Sequence, residues 1–216
     1  MTQTVQRGFD RLAPWYDGLT RLLFGRTLHR SQTGMLDRVE PKQRILLVGG
    51  GTGRLLAALC HRFPGVPVDA VDISQQMLQR SRHRLPAAAV ENVCFIHFDI
   101  CQWAPPERYD LIVTPYLLDC LADSTNVAIC SRLSRALDEG GHWLLCDFDV
   151  PPPSLPMHVP ARFLIAGLYL FFRLTCSLAA RRLPDFERAF AAASLQKISE
   201  RRYWGGLMKS RLYGRA

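Results

Sequence analysis

The stretch Ile45-Leu46-Leu47-Val48-Gly49-Gly50-Gly51-Thr52-Gly53-Arg54-Leu55-Leu56 constrains this chain more than any other, because an unbroken apolar run passes into glycines and then into a helical pattern. A run without polar alternation suits a strand covered on both faces, as in a parallel sheet flanked by helices. Glycine is required where the backbone turns sharply and lies against a ligand with no Cβ between them. The amides of the following helix start then face that ligand. The unit predicts a nucleotide-binding strand–turn–helix; a tight structural turn is the alternative.

From Arg44 onward, short β-type runs alternate with helical ones, the pattern of a parallel sheet with crossover helices. Strands are expected at Arg44–Val48, Val66–Asp72, Val93–Phe98, Asp110–Pro115 and His142–Asp147, with helices at Gly53–Phe63, Ser74–Arg84 and Thr125–Glu139. Gly140-Gly141 reads as the stop of the last helix, and Ser74 as the N-cap of the second. A proline-rich break, Pro151 to Pro160, precedes an apolar helix at Arg162–Ala180 and a further helix at Pro184–Ala193. Leu195–Trp204 and Leu207–Tyr213, separated by Gly205-Gly206, form an expected antiparallel hairpin. The fold class is therefore α/β: a Rossmann-like, seven-stranded, mostly parallel sheet with a C-terminal antiparallel hairpin and Ile45–Val48 in its interior. The organisation expected over 1–216 is one domain: an N-terminal helical leader at 1–40, a cofactor-binding core at 41–150, a helical insertion or lid at 151–194 and the hairpin at 195–216.

Spacing narrows the nucleotide. A dinucleotide fingerprint starting at Gly49 needs glycine at position 54, which is Arg54, and a phosphate loop of the Gly-x-x-x-x-Gly-Lys type needs a lysine that is missing. What remains is Gly49-x-Gly51-x-Gly53. Asp72 ends the next strand about 20 residues on, where a carboxylate can accept both ribose hydroxyls. Asp99 ends the third strand in the same way and can receive an exocyclic adenine amine.

Taken in order, VGGGTGRLL, AVDISQQML, FIHFDI, YDLIVTPYLLD and GGHWLLCDF resemble the successive motifs of class I S-adenosylmethionine-dependent methyltransferases, from about residue 5 to 149 plus the hairpin. The leader FDRLAPWYD is similar to the start of the ubiquinone/menaquinone-biosynthesis C-methyltransferases and their small-molecule relatives. The resemblance implies S-adenosylmethionine as cofactor, held by the loop Gly49, Gly50, Gly51, Thr52 and Gly53, with Asp72 on the ribose, Ile73 and Met77 as walls for adenine, and Asp99 and Ile100 on its amine side. It adds Thr114 at the end of the fourth strand and points to Tyr16 as the aromatic closing over the cofactor. One departure stands out: many relatives carry an acidic residue two before the first glycine, and this chain has Leu47.

Methyl transfer from a sulfonium is an in-line displacement that positioning can accelerate, so no nucleophile is required and the catalytic residue stays unassigned. Tyr116 and Asp119 after the fourth strand, and Asp147, Asp149 and His158 after the fifth, are candidates for a base, since ligands of open α/β sheets bind at the carboxyl ends of the strands. The expected function is methyl transfer to a small, apolar or aromatic acceptor covered by Pro151–Ala180 and the leader. The alternatives are a non-catalytic S-adenosylmethionine-binding protein on the same fold, an RNA methyltransferase, and a nicotinamide oxidoreductase, against which Arg54 speaks.

The formal charge of +8 is carried almost wholly by arginine, since only Lys42, Lys197 and Lys209 are lysines. The arginines are scattered, which argues against nucleic acid as a partner. The apolar run Phe163 to Phe172 lies between Arg162 and Arg173 and falls short of the roughly 20 residues of a bilayer span, leaving peripheral membrane contact open. Seven cysteines without a Cys-x-x-Cys pair read as reduced thiols, and six histidines without ligand spacing give no expectation of metal. With no apolar signal core at the N-terminus, the expected location is the cytoplasm.

Overall fold

The computed structural model describes residues 3–215. Helices α1 (Gln3–Phe24) and α2 (Thr27–Thr33) lead into β1 (Ile45–Val48), α3 (Arg54–Arg62), β2 (Val68–Asp72), α4 (Gln75–Arg84), α5 (Ala87–Val90) and β3 (Val93–His97). Then follow β4 (Tyr109–Pro115), α6 (Asp123–Arg135), β5 (Leu137–Phe148), α7 (His158–Cys176), α8 (Phe186–Ala192), β6 (Leu195–Tyr203) and β7 (Met208–Arg215). The seven strands form one sheet in the order β3-β2-β1-β4-β5-β7-β6, with β7 antiparallel to both neighbours and the remaining pairings parallel. The expected Rossmann-like class and hairpin are present, and β1 lies inside the sheet.

Strand side chains alternate between the faces, and both faces are covered. Leu46 and Val48 join Ile112, Trp143, Leu145 and Tyr213 beneath α6 and α8, whereas Ile45 and Leu47 join Leu111, Val113, Leu144 and Leu212 against Leu55, Leu56 and Leu59 of α3. This two-sided burial is why ILLV carries no polar residue. On the first face Phe190 stacks on Tyr213 at 3.8 Å. A third cluster, with Phe24, Phe148, Ala161, Ile165, Tyr169 and Met208, joins α1 and α7 to the ends of β5 and β7.

Two boundaries differ from expectation. The helix expected through Glu139 ends at Arg135, and Gly140-Gly141 lies inside β5. Tyr109 pairs with Leu137, while Leu111 pairs with His142, so Asp138 to Gly141 form a bulge, with Gly140 at φ +76°. Glycine marks bulges as well as helix ends, and the burial of Leu137 beside Tyr109 decides between them here. The apolar helix is displaced upstream, to His158–Cys176. Its first turn tolerates Pro160, whose missing amide has no partner there, and it stops at Ser177 in the left-handed conformation.

Candidate active site

The site is built at the carboxyl ends of β1, β2, β4 and β5, under α1. Gly49 and Gly51 follow β1 with φ of +72° and +58°. Tyr116 follows β4 with φ +50°, a region that bulky residues seldom adopt. Its amide donates to the Cys146 carbonyl (2.7 Å), its hydroxyl meets Ser31 Oγ (2.5 Å) and its ring lies 4.8 Å from that of Phe148. Held in this way, it turns Leu117 toward the glycine loop, where a Cβ on Gly49 would lie 3.2 Å from the Leu117 side chain.

Three cavities meet beneath α1. The first is lined by Gly49, Gly51, Asp72, Ile73, Met77 and Ile100, among others. The second runs along Gly49 to Thr52 toward His29, Gln32 and Arg54. The third is walled by Leu19, Leu23, Phe148, Leu168, Phe171 and Phe172, with Asp119 on its lining. Tyr16 borders all three.

Residues 45–141 match the family model described as a methyltransferase domain. The chain is 25% identical over 190 residues to the ubiquinone/menaquinone biosynthesis C-methyltransferase of Geotalea daltonii, an alignment covering 85% of this chain and 80% of that one. It is 31% identical over 122 residues to the malonyl-[acyl-carrier protein] O-methyltransferase of a Paenibacillus species, covering 55% of this chain and 42% of the relative. The chain thus spans less than half the length of that relative. The structure of mitomycin 7-O-methyltransferase superposes with a TM-score of 0.69 at 17% identity, over 96% of this chain and 60% of the other. The matched domain, these relatives and the shared fold support a class I S-adenosylmethionine-dependent methyltransferase.

The side chains of the site fit S-adenosylmethionine, the cofactor that the resemblance implies. A Cβ on Gly51 would sit 3.7 Å from the Tyr16 ring, in van der Waals contact, so that ring lies directly over the loop backbone. Asp72 Oδ1 accepts from the Ser74 amide (2.9 Å). Burial pushes its carboxyl up to about 6, although the amides of Ser74 and Gly51 favour the charged form. Ile73, Met77 and Ile100 form an apolar slot beside it, together with Phe98.

Three of the expected contact residues are absent from the linings of these cavities. At Gly53 a Cβ would meet the Ser81 backbone at 2.5 Å, so this glycine lets α3 approach α4. Thr114 is fully buried and its Oγ1 accepts from Trp143 Nε1 (2.9 Å) on the α6 side of the sheet. Asp99 is also absent from the cavity lining, and its Oδ1 accepts from the Cys101 amide (2.9 Å), closing the turn that carries Ile100 into the slot. Thr52 borders the second cavity, with its hydroxyl donating to Asp17 (2.5 Å).

The leader is fastened by its acidic residues. Asp10 accepts from Ser74 Oγ (2.6 Å) and the Gln76 amide (3.2 Å), and Asp17 pairs with Arg84 (2.5 Å). These contacts on either side of Tyr16 set its ring over Gly51. Sequence reading missed Phe9, Leu117 and Cys120 around the first cavity, and His29, Gln32 and Arg54 around the second. His29 Nδ1 is buried without a hydrogen-bond partner among the described residues. Burial, and then Arg54, hold its imidazole below the usual range, against a side-chain hydrogen bond with Gln32. The i, i+3 spacing of His29 and Gln32 on α2 was the one available signal, and it means nothing until α2 is known to cross the glycine loop.

Proposed function

We propose that this protein transfers the methyl group of S-adenosylmethionine to a small apolar or aromatic acceptor held between α1 and α7. One observation carries the reading: the adenine-side cavity and the apolar cavity share Phe9, Tyr16, Tyr116 and Cys120, so a methyl group presented from one faces the other. The bound cofactor supplies an electrophilic methyl sulfonium. Asp72 would hold its ribose, Ile73, Met77 and Ile100 its adenine, and His29 and Arg54 the carboxylate of its methionine end, where Leu47 offers no acidic anchor. The protein's share is alignment and exclusion of water, and such positioning can reach effective molarities of about 10⁵–10⁸ M. In this reading residues 151–194 form the acceptor lid over the core 41–150, residues 1–40 close the opposite wall and residues 195–216 complete the sheet.

The relatives include one named for ubiquinone/menaquinone biosynthesis, and the aromatic lining of the third cavity supports a ring-bearing acceptor of that general kind. Arginines here are dispersed into ion pairs such as Arg44–Asp69, Arg108–Asp138 and Arg211–Asp149, which gives no support to an RNA acceptor. Calorimetry with S-adenosylmethionine, followed by a mass-shift screen of cell extract for products gaining one methyl group, tests the proposal. Cofactor binding without S-adenosylhomocysteine release on any acceptor would favour a non-catalytic binding protein instead.

The outer faces of α1 and α7 support peripheral contact with an anionic phospholipid surface. By length and composition α7 could cross a membrane, but Ala161, Ile165, Tyr169 and Cys176 are buried against the domain, so it lies along the surface. Its other face exposes Val159, Phe163, Leu170 and Leu174, and α1 exposes Trp15 and Leu22. No acidic residue occurs from Val150 to Pro184, whereas Arg162, Arg173, Arg181 and Arg182 do. An apolar stripe on α7 flanked by Arg162, Arg173 and Arg181 suits a lipid headgroup layer better than a second copy of itself, whose arginines would repel. Flotation with phosphatidylglycerol vesicles, absent with phosphatidylcholine alone, is expected; a dimer in solution and no flotation would overturn it.

A further inference from the structure

We propose that Asp119 is the general base of this methyltransferase, and that its acceptor therefore carries a hydroxyl group that is methylated at oxygen. This rests on the function proposed above and names the acceptor's reacting group.

Asp119 sits on the short turn Leu118–Cys120 after β4 and lines the apolar cavity. Its Oδ1 is buried without a geometric hydrogen-bond partner among the described residues, while the Cys120 thiol and amide act on the carboxyl and favour its charged form. A buried oxygen left in that state costs about 1–3 kcal/mol, and a group of this kind calls for a ligand partner or a catalytic role. The rest of the lining is aromatic and aliphatic, apart from Thr20, the hydroxyls of Tyr16 and Tyr116 and the Cys120 thiol. An apolar acceptor with one O–H can satisfy Asp119 Oδ1 and bury its remaining surface. Cys120, the next residue, belongs to both the cofactor and the apolar cavity, so Asp119 lies beside their junction.

A second carboxyl stands behind the first, and its atoms are engaged. Asp147, near the end of β5, is fully buried; its Oδ1 accepts from the Phe148 amide (2.9 Å) and its Oδ2 from the Asp119 amide (3.3 Å). The groups that act on Asp119 or feel its charge are Tyr16 from α1, Tyr116 and Cys120 after β4, Asp147 from β5 and Tyr169 from α7, and none is a cation. Arg211 reaches only Asp147, from β7. Burial raises both carboxyls, and the charge of Asp119 raises Asp147 further. The two buried carboxyls therefore titrate as a unit that carries one charge.

The step balances as follows. The acceptor O–H gives its proton to Asp119 Oδ1 as its oxygen forms a bond to the methyl carbon. The carbon–sulfur bond breaks with its electron pair going to sulfur, which leaves S-adenosylhomocysteine and a methyl ether, and Asp119 then returns the proton to solvent.

The test uses the full chain, S-adenosylmethionine and a series of ring-substituted phenols of graded acidity, read by S-adenosylhomocysteine release. Asp119→Asn should bind the cofactor within about twofold of wild type and lose about 100-fold or more in kcat, within the range for general-base catalysis. The loss should shrink for the more acidic phenols, which arrive already ionised, and the acid limb of the pH profile should vanish. If Asp119→Asn does not fold, Asp119→Glu should lower kcat about tenfold at unchanged cofactor affinity. Unchanged kcat in either foldable variant, a loss independent of phenol acidity, or turnover of matched anilines or thiols with no turnover of any phenol would overturn the proposal. Failure of the wild-type chain to bind S-adenosylmethionine would instead defeat the methyltransfer reading on which it rests.

Discussion

The two halves of the site are made by different means. The cofactor half is main chain: positive-φ glycines after β1, amides at the start of α4 and one carboxylate, Asp72, all within about 30 residues of sequence. The acceptor half is side chain: Leu19 and Leu23 of α1 face Leu168, Phe171 and Phe172 of α7, joined only by the fold. Backbone geometry admits one residue type per position, while an apolar wall accepts any side chains that fill it. Substitutions in the first half should therefore abolish binding, and those in the second should retune it.

The contrast can be broken at its strongest point first. Gly51→Val is expected to weaken S-adenosylmethionine binding by more than about 3 kcal/mol, beyond the loss of a charged hydrogen bond, because it adds backbone strain and fills ligand space. Calorimetry measures this, and near-normal affinity in a folded variant would place the cofactor elsewhere. Asp72→Ala should cost about 1.5–3 kcal/mol on the same scale. Phe172→Ala should leave cofactor affinity alone and raise the acceptor KM about tenfold, the effect of losing roughly 1.5 kcal/mol of apolar burial. Equal effects of that variant on both ligands would erase the distinction between the halves.

Smaller effects sharpen it. The Asp72 carboxyl, raised to about 6, must be ionised to accept the ribose hydroxyls. Lowering the pH from 8 to 5 protonates it, so cofactor affinity should fall about tenfold, and Asp72→Asn should flatten that dependence. Arg84→Ala removes the partly exposed pair with Asp17. Such pairs contribute less than about 1 kcal/mol, so a slight loss of cofactor affinity is expected, with faster hydrogen exchange in α1 around Tyr16.

The sheet was legible because its signals are local. ILLV, the glycine turn and the βα alternation each follow from neighbouring residues, and the strand order extends them by helical crossovers between parallel strands. The errors fall where one local pattern serves two structures. Gly140-Gly141 reads equally as a helix stop or a bulge, and the pairing of Leu137 with Tyr109 chose the bulge. Gly53 reads equally as a ligand contact or a packing contact, and Ser81 of α4 chose packing. Thr114 ends the right strand but faces Trp143, because side chains alternate about the sheet and its position falls on the α6 side.

By itself the sequence determined the parallel core, the glycine loop and the acidic strand end, since these are statements about φ angles, two-sided burial and spacing along one segment. Only the tertiary structure decided that Asp10 and Asp17 fasten α1 above the loop, that His29 of α2 reaches its far end and that Asp119 keeps an unpartnered oxygen beside Asp147. Those arrangements join residues separated by 28 to 67 positions in the chain, or bring them from different elements to one cavity. A carboxylate's role depends on what surrounds it, and no pattern along the chain states that before the chain is folded.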